Sequence, residues 1–485
     1  MSKTNVMERN ITGRGYELRL LKNALNSSES EFIIVYGRRR VGKTYLVNQF
    51  FNNRFAFKIT GVYQKSTEVQ LERFNNEIEN CFGVNAPAPA NWYKAFDLLR
   101  ACLRDIPSGE KKVVFIDEMP WMDTEGSDFI SALEQFWNGW ASAEGDIILI
   151  ACGSATSWMT KKLLGDKGGL FNRSSTRMFV HPFTLCETER YLQSRGIEWT
   201  RYDIAQCYMI MGGIPFYLKQ LNPAWSFARN IDNIFFREKG LLWDEFNHLY
   251  ATLFKQPEDH IAIVKALAKK RIGLTRKEII EHTKLHDNGR LTAILDNLAN
   301  SEFIRPYNYY GKKKQDTIYQ LTDFFTMFYF SHIKDNYGKD EHFWTNSTDN
   351  PSRMAWAGYT FEQLCLSHIE QIRHKIGISA VQCNISAWFH KSKEGENTRG
   401  AQIDLLIDRR DRVTNVCEMK YSINDFTIDK SYADQLRNKM DAFRKESGTR
   451  NALHLTMVTT YGVKPNMYSN MIQSEVTLDD LFLDV

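Results

Sequence analysis

Eight consecutive residues, Gly37-Arg38-Arg39-Arg40-Val41-Gly42-Lys43-Thr44, carry the first chemistry legible in the chain. The glycines let the backbone curl so that its N–H groups face inward, an arrangement that suits phosphate oxygens. The lysine reaches β- and γ-phosphates and the threonine hydroxyl ligates Mg²⁺ in loops of this spacing. All eight residues are therefore expected to bind ATP, with Lys43 also catalytic. A second group lies in VVFIDE, residues 113–118. Asp117 is placed to hold Mg²⁺, and Glu118 to orient or deprotonate the attacking water. Ser154 follows another apolar run and is placed to sense the γ-phosphate; a plain turn serine fits equally well. Arg173 and Arg177 are candidates for an arginine finger.

A separate constellation lies in RGAQIDLLIDRRDRVTNVCEMKYS, residues 399–422. Asp404 falls on one apolar run. Glu418 and Lys420 fall on the next, one residue apart and so on one face of a strand. Two carboxylates brought together in this way suit a divalent metal that activates water, with the lysine assisting.

These residues need elements to hold them. EFIIVY (31–36), VVFI (113–116) and DIILIAC (146–152) read as buried parallel strands, with helical patterns between them. That alternation predicts a parallel sheet covered by helices, residues 1–185. Helical patterns with isolated glycines follow, a lid over 186–255. Within 256–345, three helices (IAIVKALAKK, TRKEIIEHTK and Asn288–Phe303) precede two strands joined by GKKKQD, the outline of a winged helix-turn-helix. Its third helix carries Arg290 as the main basic residue, and Lys312, Lys313 and Lys314 of the wing suit phosphate contact. DNA contact and internal packing are both open for this module. The polar stretch from Tyr337 to Ser352 reads as a linker, and 350–485 as a further, separate α/β domain.

Composition narrows the classes. A 43% apolar and 25% charged chain of 485 residues is that of an ordinary multi-domain globular protein. A net charge of +4 permits a nucleic-acid partner without requiring one. The eight cysteines form no C-x-x-C pair and read as buried thiols of a reducing compartment. With neither a signal-peptide pattern nor a run of about 18 apolar residues, a cytoplasmic protein with no membrane contact is expected.

Together GRGYEL (13–18), GRRRVGKT, FIDE, CGSATSWM, HPFTL (181–185) and GGIPFYL (212–218) resemble the archaeal-type AAA+-like ATPases, relatives of the STAND regulatory NTPases. The resemblance spans about residues 10–345. It implies a slow nucleotide switch, a lid whose Gly213 and Pro215 lie near the nucleotide, and an oligomeric state left open. The D…E-x-K pattern resembles the PD-(D/E)XK restriction-endonuclease fold, with Ile403 in place of its proline. That second resemblance covers about 355–460. It adds Glu362 to the metal set with Asp404 and Glu418, and matches Gln435 to a polar helix position.

The fold class expected is thus α/β: a P-loop NTPase sheet with helical lid, winged helix-turn-helix and C-terminal restriction-endonuclease-like domain. The leading functional expectation is an ATP-controlled nuclease acting on DNA. Its rival is a nucleotide-gated DNA- or protein-binding regulator whose nuclease fold is inert. A ring-forming AAA+ motor is a third.

Overall fold

The computed structural model describes residues 11–107, 109–154, 156–165, 170, 172–254, 256–311, 316–391 and 400–485. The chain divides into two compact units, Met1–Pro182 and Phe183–Val485.

In the first unit, helix α1 (Gly15–Asn26) leads into strand β1 (Glu31–Tyr36) and helix α2 (Lys43–Phe50). Then come β2 (Phe57–Thr60), α3 (Thr67–Phe82), α4 (Trp92–Arg104), β3 (Lys112–Asp117), α5 (Phe129–Gly139), β4 (Ile147–Gly153) and β5 (Thr176–Phe179). The five strands pair in parallel in the order β2-β3-β4-β1-β5. Phe32, Ile34, Val114, Ile116, Leu149 and Ala151 pack with α3, α4 and α5 in one core. Their alternates Ile33, Val35, Phe115, Ile148 and Ile150 are equally buried. Apolar side chains on both faces explain why these strands read as continuous runs. The short edge strand β5 carries a charged and half-exposed T-R-M-F, so it left no such signature.

The second unit opens with α6 (Leu185–Ser194) and α7 (Arg201–Met211). Two of the short motifs meet here: Phe183 N–H donates to Gly213 O at 2.8 Å, and the Tyr208 hydroxyl to Phe183 O at 2.8 Å. Gly213 has φ 63°, and a Cβ there would lie 2.2 Å from Phe183 O, so only glycine fits.

Helices α8 (Pro257–Lys269), α9 (Arg276–Thr283) and α10 (Gly289–Asn300) follow. They accompany a small antiparallel sheet of β6 (Leu274–Thr275), β7 (Ile304–Tyr307) and β8 (Ile318–Leu321), in the order β6-β8-β7. The two-residue β6 was not expected. Lys312, Lys313 and Lys314 lie outside the described residues.

Helices α11 (Pro351–Ser367) and α12 (Ile369–Lys375) precede β9 (Cys383–His390), β10 (Ala401–Arg409) and β11 (Val413–Lys420). After α13 (Lys430–Ser447) come β12 (Ala452–Thr459) and β13 (Ser474–Thr477). The sheet order is β13-β12-β11-β10-β9, antiparallel across β9, β10 and β11 and parallel thereafter. Beyond β7, the backbone of Asn308 and Tyr310 exchanges hydrogen bonds of 3.1 and 2.7 Å with Ala387 on the edge strand β9.

The stretch 337–352 does not behave as a linker. Trp344 is fully buried, its backbone N–H donates to Asp232 at 2.7 Å, and the Arg353 guanidinium lies 3.6 Å from its ring centroid. The polar residues around it bond one another: Asp340 accepts from His342 N–H and Asn350 caps α11. The C-terminal sheet falls in one compact unit, Phe183–Val485, with helices α6 and α7 and the three-helix module. Among the described residues no helix is long and apolar enough to cross a membrane. The eight cysteines are free thiols, six of them buried.

His368 ties the end of α11 to the start of α6. Its Nε2 accepts the Leu185 N–H at 3.1 Å, and Nδ1 lies 2.9 Å from Leu364 O. Both bonds require the neutral ring, with its proton on Nδ1. Burial pushes the imidazole down to about 4. A folded-state value below the unfolded 6.5 means stability fully present above pH 6.5 and lost as pH falls toward 4. That contribution is roughly 3 kcal/mol. Urea unfolding between pH 7 and 4 should therefore show a shallower loss of stability for His368→Gln than for the unmodified chain. Parallel curves would refute this role.

Candidate functional site

The phosphate-type loop lies between β1 and α2. Gly37 has φ 141°, Arg40 74° and Gly42 90°, so the chain turns sharply before the helix begins. A Cβ on Gly37 would come within 2.4 Å of Val180 O, whereas Gly42 is required by its φ rather than by space. Lys43 is buried, and its ammonium donates to Gly37 O at 2.9 Å and Arg38 O at 2.7 Å. Burial pulls its pKa down, opposed by Cys152, Glu118 and Asp117. Arg38 is buried within the loop, while Arg39 and Arg40 are half-buried.

Strands β3 and β4 bring the acidic and hydroxyl groups to the same end of the sheet. Thr44 Oγ1 donates to Asp117 Oδ2 at 2.9 Å, and Asp117 Oδ1 accepts the Glu118 N–H at 3.0 Å. Glu118 sits in the left-handed region, φ 46° and ψ 40°. Such a conformation costs a non-glycine residue about 1 kcal/mol or more and is concentrated at working sites. Ser154 Oγ donates to the Glu118 carboxylate at 3.1 and 3.3 Å. The serine expected at a γ-phosphate is thus placed on the candidate base. Arg173 and Arg177 are exposed, and Arg177 is held by Ser174 and Asn172 at 3.3 and 3.2 Å.

Spacing in the sequence assigns Arg14 no role. It is buried, and its guanidinium donates to Val41 O at 2.8 Å and His181 O at 2.7 Å, fastening the loop to the end of the sheet. The available signal was a basic residue between glycines, GRG, ahead of the first helix.

Pro215 stands in the second unit as the first residue of a four-residue helix, Pro215–Leu218, where its missing N–H is harmless.

The second constellation assembles on β10, β11, α11 and α13. Leu405 pairs with Cys417, so Asp404 and Glu418 come next in register and share a face. Asp404 accepts from Gln402 Nε2 at 2.5 Å. Glu418 is buried and crowded with donors: Tyr432 hydroxyl at 2.5 Å, Lys439 Nζ at 2.6 Å and Lys420 Nζ at 3.1 Å. Burial raises its pKa, but the charges of Lys439 and Lys420 and the hydrogen bonds from Lys439 and Tyr432 outweigh that and leave it below the usual range. Asp404 is held up by burial. Burial, and then the charge of Asp404, push Glu362 to about 8. Glu362 and Asp404 line a cavity of about 420 Å³ with Arg271, Gln320, Tyr359 and Gln402.

Gln435 is exposed; α13 turns Tyr432 and Lys439 inward instead. Their seven-residue separation on the face of buried Leu436 was the signal to follow. Among the described residues no three His, Cys, Asp or Glu side chains converge as a metal site needs. Glu362, Asp404 and Glu418 therefore do not form the expected metal set in this arrangement, because ammonium groups hold the oxygens of Glu418. On α10, Arg290 is exposed and paired with Asp259.

A parallel sheet whose first strand feeds a glycine-bearing loop and helix, with an acidic pair ending a neighbouring strand, defines a P-loop ATPase. Residues 12–221 match the model of the ATPase domain found predominantly in Archaea, so the chain carries an archaeal-type ATPase domain. An uncharacterized protein of Methanocaldococcus jannaschii is 25% identical over 431 residues, covering 87% of this chain and 90% of the relative. An ATP-binding protein of the same organism is 46% identical over 44 residues, 9% of this chain and 75% of the relative. The Walker-type ATPase PABY2304 of Pyrococcus abyssi is similar at a TM-score of 0.47 and 19% identity, covering 66% of this chain and 96% of that one.

Arg14→Met should weaken ATP binding about tenfold, since it removes two charge-assisted bonds worth about 1.5 kcal/mol or more. Fluorescence titration with a labelled nucleotide measures this. Unchanged affinity would show that the loop holds its shape without Arg14.

Proposed function

We propose that this protein is an ATP-hydrolysing switch coupled to a restriction-endonuclease-like effector domain that acts on DNA. The observation that carries the ATPase reading is the junction of Thr44, Asp117, Glu118 and Ser154 beside the buried Lys43. Residues 37–44 cradle the triphosphate in this reading, and the Lys43 ammonium turns from Gly37 O and Arg38 O toward phosphate oxygens. A hydroxyl and a carboxylate 2.9 Å apart are the donor chemistry that Mg²⁺ takes. Thr44 and Asp117 would hold that ion, which when bound neutralises phosphate charge. Glu118 orients the water and accepts its proton, and Ser154 fixes the carboxylate. Gly213 and Pro215 serve as the lid elements that respond to nucleotide.

Glu118→Gln should retain ATP binding and lose hydrolysis by roughly 10²-fold or more. Lys43→Ala should lose both. Phosphate-release and nucleotide-binding assays separate the two effects, and hydrolysis by Glu118→Gln at the unmodified rate would remove Glu118 from the mechanism.

For the effector, the supporting observation is Asp404 opposite Glu418 on adjoining antiparallel strands, with Lys420 two residues on and Glu362 nearby on α11. The residues do not fit a divalent ion in this arrangement, because Lys420 and Lys439 hold the oxygens of Glu418. If the domain cuts, Asp404→Ala and Lys420→Ala should each abolish nicking of supercoiled plasmid in Mg²⁺ or Mn²⁺. Equal background from all three proteins would leave only the rival, a nucleotide-gated regulator with an inert nuclease fold. One observation favours that rival: Glu418 is already neutralised by Lys420 and Lys439. The winged helix-turn-helix over 256–345 is read as a packing module of the switch. Arg290 is paired with Asp259, and the chain beyond β7 bonds to β9.

A further inference from the structure

The disagreement between the expected metal set and the observed geometry has an identifiable cause. We infer that the Lys439 ammonium occupies the place of a divalent cation on Glu418, and that the carboxylate site takes a metal only when Lys439 withdraws. The inference rests on the endonuclease-like reading of this domain, but concerns metal binding rather than cleavage.

Three observations carry it. First, Lys439 reaches Glu418 Oε2 at 2.6 Å while Lys420 lies 3.1 Å from Oε1. Both carboxylate oxygens therefore already face a cation at contact distance. Second, the Tyr432 hydroxyl donates to Oε1 at 2.5 Å, completing a donor set around a buried carboxylate. A hard divalent ion needs oxygen ligands with lone pairs directed at it, and an ammonium on the same oxygen takes up one lone pair and repels the ion's charge. Third, Lys439 sits on α13, not on the sheet that carries Asp404, Glu418 and Lys420. It can leave by a change of rotamer or a small shift of α13 that does not move the strand carrying Glu418.

Charge arithmetic points the same way. Asp404 and Glu418 supply two carboxylates against the ammoniums of Lys420 and Lys439. With both lysines in place, little negative charge is left to attract an ion. With Lys439 withdrawn, the cluster regains one full unit, and electrostatic attraction between opposite charges at such a site is strong. Lys439 is thus a positioning and specificity residue, exchanging one cation for another on Glu418.

The test is Mn²⁺ titration of the full chain without nucleotide, followed by electron paramagnetic resonance of free Mn²⁺. The unmodified protein is expected to bind weakly. Lys439→Met and Lys439→Gln should bind one ion at least about tenfold more tightly, and the added site should vanish in Lys439→Met with Asp404→Asn. Lys439→Gln keeps a hydrogen-bond donor, so it covers the case in which Lys439→Met folds poorly. Equal Mn²⁺ affinity in the unmodified chain and Lys439→Gln overturns the inference. Tight binding without plasmid cleavage upholds it while removing the nuclease reading, so the two failures are distinguishable.

Discussion

Thr44 and Asp117 lie 73 residues apart, and the 2.9 Å hydrogen bond between them requires β1 and β3 to end at the same height with β4 between them. A parallel sheet meets that requirement only when its strands are in register along their whole length. The pairings Glu31–Ile148 through Tyr36–Gly153 and Lys112–Ile147 through Ile116–Ala151 supply it. A one-residue slip of β3 would turn Asp117 to the opposite face. It would also carry Glu118 away from Ser154. The geometry of the nucleotide site is therefore a consequence of sheet register, and the buried valines, isoleucines and phenylalanines of these strands are what hold that register.

Legibility followed the range of the interactions concerned. The loop Gly37–Thr44 and the pair Asp117–Glu118 depend on spacing within a few residues and on an adjoining apolar run, so local pattern sufficed. The hairpin of β10 and β11 was legible for the same reason. Lys439 was not, because its contact with Glu418 spans a crossover helix and nothing in SYADQLRNKM sets that lysine apart from other surface lysines. Gln435 drew attention by residue type, while the helical period placed it outward. Trp344 was hidden for a different reason. A single large apolar residue amid YGKDEHFWTNSTDNPS gives no periodic signal, yet Asp232 and Arg353 build it into the core.

The second unit derives its unity from a few buried polar contacts between segments that read as separate. His368 accepts a backbone N–H from the first residue of α6, and Tyr208 packs edge-on to its ring. Tyr202 on α7 stacks on Tyr421, the residue after Lys420, with ring centroids 5.5 Å apart. Helix α7 thus meets the residue that directly follows the strand presenting Glu418 and Lys420.

The pairing of Asn308 and Tyr310 with Ala387 has a further consequence. Strand β9 is the outer strand of its sheet, and an uncovered outer strand offers its backbone to any other chain that can align with it. Here a neighbouring segment of the same polypeptide supplies that partner. Excising the three-helix module to obtain an isolated C-terminal domain would strip this cover and leave a sticky border prone to intermolecular sheet growth. The module is to that extent a solubility device for the domain beside it, whatever else it does.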